Sequence, residues 1–138
     1  MRPAPQLIAL LKSTTALTDI VGQNIYADNP PQDDDRPVVV LSILSGVAHG
    51  TVNNCTVRAY TARLTVEVVT DSRSQSESVI EIIEDTLDGY SNTADPTHPI
   101  EGVTIEGGIE WTILNPVDGS DQRGYLCGQD YYINYVRI

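Results

Sequence analysis

Phenylalanine is absent from this 138-residue chain, lysine occurs once, at Lys12, and cysteine twice, at Cys55 and Cys127. Without Phe, a core drawn from a 41% hydrophobic composition must be built from aliphatic side chains, which favours strands and short helices. The two cysteines form neither a C-x-x-C pair nor a zinc spacing, and they read as buried thiols rather than as ligands or a disulfide. No apolar run approaches the roughly 20 residues of a membrane-crossing helix. The short run from Leu7 to Leu11 is closed by Lys12 and lacks a small-residue cleavage signal. A soluble protein made in the cytoplasm, without a membrane partner, is the expectation. Basic residues number 8 against 19 acidic ones, a net charge of -11. No Lys/Arg patch is visible, so neither free DNA nor anionic lipid is expected as a ligand, since phosphate binding ordinarily requires one.

A length of 138 residues suits one domain spanning the whole chain, 1–138, with no internal repeat. Pro5 fits the first turn of a helix, and Leu7, Ile8, Leu10 and Leu11 form its apolar stripe to about Ser13. Thr14 or Thr15 caps a second short helical piece that carries Leu17, Ile20 and Val21 and stops at Gly22. The segment 27–36, with Pro30 and Pro31, reads as an exposed loop. A buried strand is predicted from Pro37 to about Val47, with a hairpin turn across 48–55.

The strongest alternation runs from Thr56 to Thr70. Tyr60, Ala62, Leu64, Val66 and Val68 share one face, and Thr61, Arg63, Thr65 and Glu67 share the other. Such a strand, about 45 Å long, exceeds common lengths, so part of it is expected to project as a hairpin arm. From Asp71 to Asp88 the period becomes helical, with Ser74 and Glu77 spaced as a capping box. Val79, Ile80, Ile82, Ile83 and Leu87 form its apolar side; Glu77, Glu81, Glu84, Asp85 and Asp88 form the other. A polar connector follows Gly89. Two further strands are predicted, Val103 to Leu114 with a bulge or turn at Gly107 and Gly108, and Tyr125 to Ile138. The expected class is α+β: a largely antiparallel, mixed β-sheet with an N-terminal helical element, a second helix packed on one face and one long projecting hairpin.

Chemistry-bearing patterns are few. Asp33, Asp34 and Asp35 lack the alternate spacing, glycine and closing glutamate of a calcium loop, and the Asp118–Asp121 stretch reads as a turn. His49 and His98 each stand alone in loop sequence and are expected at the surface. No nucleophile elbow, P-loop or dinucleotide fingerprint occurs, so no catalytic residue, metal ligand or cofactor is assigned. The acidic face of the second helix is the exception to an ordinary surface. Glu77/Glu81, Glu81/Asp85 and Glu84/Asp88 are like charges four residues apart, each pair costing about 0.2 to 0.5 kcal/mol, and acids near a helix C-terminus oppose its dipole. Such a face serves solubility, contacts a basic partner or lines a channel through which DNA passes without sticking.

The order of these elements resembles the tail terminator, or tail completion, proteins of long-tailed bacteriophages. The likeness rests on the N-terminal helical region leading to Asn24-Ile25-Tyr26, the proline-containing loop and the strand start at Arg36-Pro37-Val38-Val39-Val40. It extends through VEVVTDSRSQSESVIEIIEDTL and the closing strand with Arg123 before it and YYINY within it. The long connector 90–102 and the acidic loop 33–35 depart from the family's pattern. The resemblance implies a non-catalytic virion protein of the tail or neck, assembled in the host cytoplasm. It implies a ring, typically hexameric, that binds the head-proximal end of the tail tube, ends tube growth and offers a docking surface to the head–tail connector. DNA would pass through its lumen without specific binding. Candidate contact or lumen positions are Asp33, Asp34, Asp35 and Arg36, His49 with Asn53 and Asn54, and Glu77, Glu81, Glu84, Asp85 and Asp88. A head-side connector or stopper protein and, from a different class, a small-ligand binding domain remain as alternatives.

Overall fold

The alternating segment becomes the centre of a five-stranded sheet. In the computed structural model, which describes residues 3–28, 37–49, 58–96, 98–114 and 124–137, strands and helices are numbered in chain order. β3 (Arg58–Thr70) lies between β2 (Val38–His49) and β5 (Gly124–Arg137), with β1 (Ile25–Ala27) outside β2 and β4 (Ile100–Leu114) outside β5. Ala62, Leu64, Val66 and Val68 are buried, as the period of two requires, while Tyr60 on the same face is only half-buried. All pairs are antiparallel except β1 with β2, which makes the sheet mixed. β1 was not expected as a strand. Three residues are too few to display a period, and its parallel pairing of Ile25 with Val39 is purely tertiary.

Helices α1 (Ala4–Ser13), α2 (Thr15–Val21) and α3 (Arg73–Leu87) cover one face of the sheet. One aliphatic cluster joins Leu7 and Leu11 of α1, Leu17 and Val21 of α2, and Val79, Ile80, Ile83 and Leu87 of α3 to the inward residues of the strands. The bend between α1 and α2 falls at Thr14, whose extended backbone ends one helix and begins the next. Gly22 then stops α2 at φ 61°, a conformation a side chain would strain. The Ser74–Glu77 capping box does not form, because α3 starts two residues earlier than that cap requires, at Arg73 behind Ser72. Ser74 is already inside the first turn. The strand-to-helix junction is held instead by Thr70, whose hydroxyl donates 2.6 Å to the Ser72 carbonyl and also bonds the buried Ser76 side chain.

Two further expectations are revised. Burial along β2 ends at Leu41, and from Leu44 to His49 the strand is exposed rather than buried to Val47. β1 reaches only to Leu41, and a bulge leaves Leu44 as an extra residue between the Ile43–Leu64 and Ser45–Arg63 pairs. The second half of β2 pairs with the start of β3, which β5 flanks as far as the Arg58–Arg137 pair; residues 50–57, with Asn53, Asn54 and Cys55, lie outside the described residues. His98 is 5% exposed, not a surface histidine. Its backbone N–H donates 2.7 Å to Asp95, and its carbonyl accepts Gln6 Nε2 of α1 at 2.7 Å, so the connector folds back onto α1. In β4 the expected bulge is present: three residues, Gly107 to Ile109, lie opposite Gln129 alone, and Gly107 takes φ 76°.

Candidate assembly surfaces

On the face of the sheet away from the helices, alternation brings Arg63, Thr65, Glu106 and Asp130 together. Asp130 pairs in register with Thr65 on one side and Glu106 on the other. The Arg63 guanidinium donates to Asp130, its Nε at 3.1 Å, and that Nε lies 3.4 Å from a Glu106 carboxylate oxygen. The Thr65 hydroxyl donates to Asp130 at 2.7 Å. Burial alone would raise the Asp130 carboxyl, but the Thr65 and Arg63 hydrogen bonds outweigh it and hold Asp130 below its ordinary range. Asp130, by its hydrogen bond and its charge, and then Glu106 raise Arg63 in turn. These groups border a cavity of about 310 Å³ completed by the glycine bulge of β4. Its one cation is already shared by two carboxylates, and an aspartate held ionised is neither a proton donor nor an effective base near neutrality.

Two other groups with reactive potential are quenched by burial. The Cys127 thiol is pushed up to about 11 by desolvation, so it stays protonated near neutrality. Tyr131, also raised by burial, donates 2.9 Å to Gln129 Oε1. Among the described residues no three His, Cys, Asp or Glu side chains converge as metal ligands would.

A second depression, about 480 Å³, lies beside the exposed half of β2 and is bordered by Leu44, Gly46, Tyr60, His98, Tyr135 and Arg137. The Tyr60 and Tyr135 rings stack at 5.2 Å with 12° between their planes, and the Arg137 guanidinium sits 5.6 Å above Tyr60. His98 lies 6.4 Å from the Tyr135 ring, and burial lowers its proton affinity.

The residues singled out from the sequence fall on separate elements. Glu77, Glu81, Asp85 and Asp88 are exposed on α3 or at its end, with Glu84 half-buried. Glu77 pairs with Arg73 at 3.6 Å, and Asp88 accepts the Ile105 N–H at 3.3 Å. His49 stands exposed at the end of β2, its Nε2 2.8 Å from the Thr61 hydroxyl. Asp33, Asp34, Asp35, Arg36, Asn53 and Asn54 lie outside the described residues. The Arg63–Asp130 pairing was not anticipated, although Arg63 was placed on the wet face; register between distant strands carries no local signal.

Among the described residues, no helix is long and apolar enough to cross a membrane. No curated protein matches the chain by sequence. Among solved structures, a chain of the virion of a native gene transfer agent particle is similar in fold, with a TM-score of 0.65 at 13% identity. That likeness covers 94% of this chain and 91% of the other. The family model for tail completion protein gp17 matches residues 5–107, which takes in the three helices, β1 to β3 and the start of β4. With most of its length matched by that model, the chain belongs to the tail completion protein gp17 family.

Proposed function

We propose that the chain is a structural protein of a phage virion that closes the head-proximal end of the tail tube as a ring, ends tube growth and presents a docking surface to the head–tail connector. The observation that carries this reading is the family match over residues 5–107. One property of the chain supports it: the net charge of -11 suits a ring through which DNA slides without adhering. The ring is a hexamer in the virion neck, assembled in the host cytoplasm from a single domain, with the tube protein and a connector or stopper protein as its neighbours. The segment 33–36, the hairpin end with His49, Asn53 and Asn54, and the acidic face of α3 are its candidate contacts. Adding the purified chain to polymerising tube protein of the same phage tests the reading by electron microscopy. Tubes arrested in length and labelled at one end are expected; labelling along the walls, or no arrest, contradicts it.

A further inference from the structure

Two edges of the sheet are open in a single copy. β1 covers β2 only over Val39–Leu41, so residues 42–49 have β3 on one side and no described strand on the other. At the opposite border, β5 is the one strand beside β4 among the described residues, and the segment Asp88 to Asn92 hydrogen-bonds the outer edge of β4 at Ile100, Val103 and Ile105, so its open edge runs from Glu106 to Leu114. Open strand edges invite pairing with another chain unless they are blunted. Each of these carries a bulge, at Leu44 and at Gly107 to Ile109, yet apolar side chains still reach solvent on both. Among the described residues five large hydrophobic side chains are exposed, and four of them lie on these two strands: Leu44 (61%) and Val47 (60%) on β2, Ile109 (38%) and Ile113 (55%) on β4.

We infer that the open half of β2 in one copy pairs with β4 of a second copy, head to tail, so that the sheet runs on across the join; this rests on the ring reading above. Strand direction favours it. β2 is antiparallel to β3, β3 to β5, and β5 to β4, so β4 opposes β2 and an adjoining copy extends the sheet as another antiparallel pair. Charge favours it too. Residues 42–49 contain no acid in a chain of net charge -11, and Arg137 borders the depression beside them. β4 carries Glu101, Glu106 and Glu110, so pairing two β4 edges would oppose like charges.

Spacing sets a limit on the geometry. The apolar stretches of β2 and β4 are offset by roughly six residues along the strands, or about 20 Å, while a four-strand repeat is about 19 Å wide. Bringing them level inclines the strands by about 45° to the ring axis, at the upper end of the tilt in closed barrels. A heterologous join of this kind closes into a ring when its rotation divides the circle.

The test uses the full chain with Cys55→Ser, carrying Val47→Cys and Ile109→Cys singly or together, a short bis-maleimide, and native mass spectrometry of each sample. The double variant is expected to give a covalent ladder from dimer to complete ring, and neither single variant a linked species. Val47→Glu is expected to raise the concentration needed for assembly at least about tenfold with the subunit still folded. A ring of unchanged mass with no ladder, or dimers from Val47→Cys alone, overturns the head-to-tail join and leaves the ring itself standing; the β2 edge then faces itself or another virion protein. A monomer at every concentration overturns both.

Discussion

Leu64 lies opposite Ile43 on one side and Tyr131 on the other, fully buried at the middle of the sheet. Leu64→Ala removes three carbon atoms from a site hemmed in by neighbours on both strands, so it is expected to cost about 2 to 5 kcal/mol in urea unfolding. A loss under about 1 kcal/mol would mean that the site collapses around the gap. His98 makes a different prediction. Burial lowers its folded proton affinity below that of the unfolded chain, where the usual value is about 6.5. The unfolded state therefore binds more protons in the window below that value, and stability present above it is lost as pH falls. Unfolding free energy measured from pH 7 downward should decline less steeply in His98→Gln than in the parent chain; parallel declines would contradict the assignment. The inward face of Leu64 was legible because a period of two needs only local residues. His98 was not, since its burial depends on Gln6, far away in the chain, and on the Tyr135 ring.

α3 shows what an element can reveal before its neighbours are known. Of its apolar side, Val79, Ile80, Ile83 and Leu87 are buried as their spacing implies and Ile82 is half-buried, while the acidic side apart from Glu84 faces water. The structure eases part of the repulsion expected there: Arg73 approaches Glu77, and Asp88 is engaged by the Ile105 N–H. Glu81 and Asp85 remain exposed four residues apart. Replacing both by Gln is expected to raise the melting temperature, since like-charged pairs cost about 0.2 to 0.5 kcal/mol each. No change, or a fall, would show that the acidic side is not strained. The strands were legible to differing depth. β3 alternates, and Ala62, Leu64, Val66 and Val68 are buried as read, whereas Tyr60 on that face and Thr61, Thr65 and Glu67 on the other are half-buried. β2 is apolar on successive residues, which hides that its second half leaves the helical layer, and β1 is three residues that exist only through β2. The β4 bulge was signalled by Gly107 and Gly108, because a left-handed residue in a strand selects glycine.

For the whole molecule, the sequence carries the class of the fold and a family likeness, while strand order and the two open edges emerge only once five strands are assembled. The surfaces chosen from charge alone, Glu77 to Asp88 on α3 and His49 on β2, lie on separate elements, whereas the exposed apolar side chains gather at the sheet borders. Charge is readable residue by residue; an unpaired edge is a property of topology. A protein whose apolar side chains reach solvent at both borders of one sheet is suited to repeat itself, and a ring forms if that repetition closes. Native mass spectrometry of the purified chain across concentration tests this most directly, because a closed ring has a discrete mass. A dominant hexamer at micromolar protein is the predicted result, and a monomer throughout the range would contradict it.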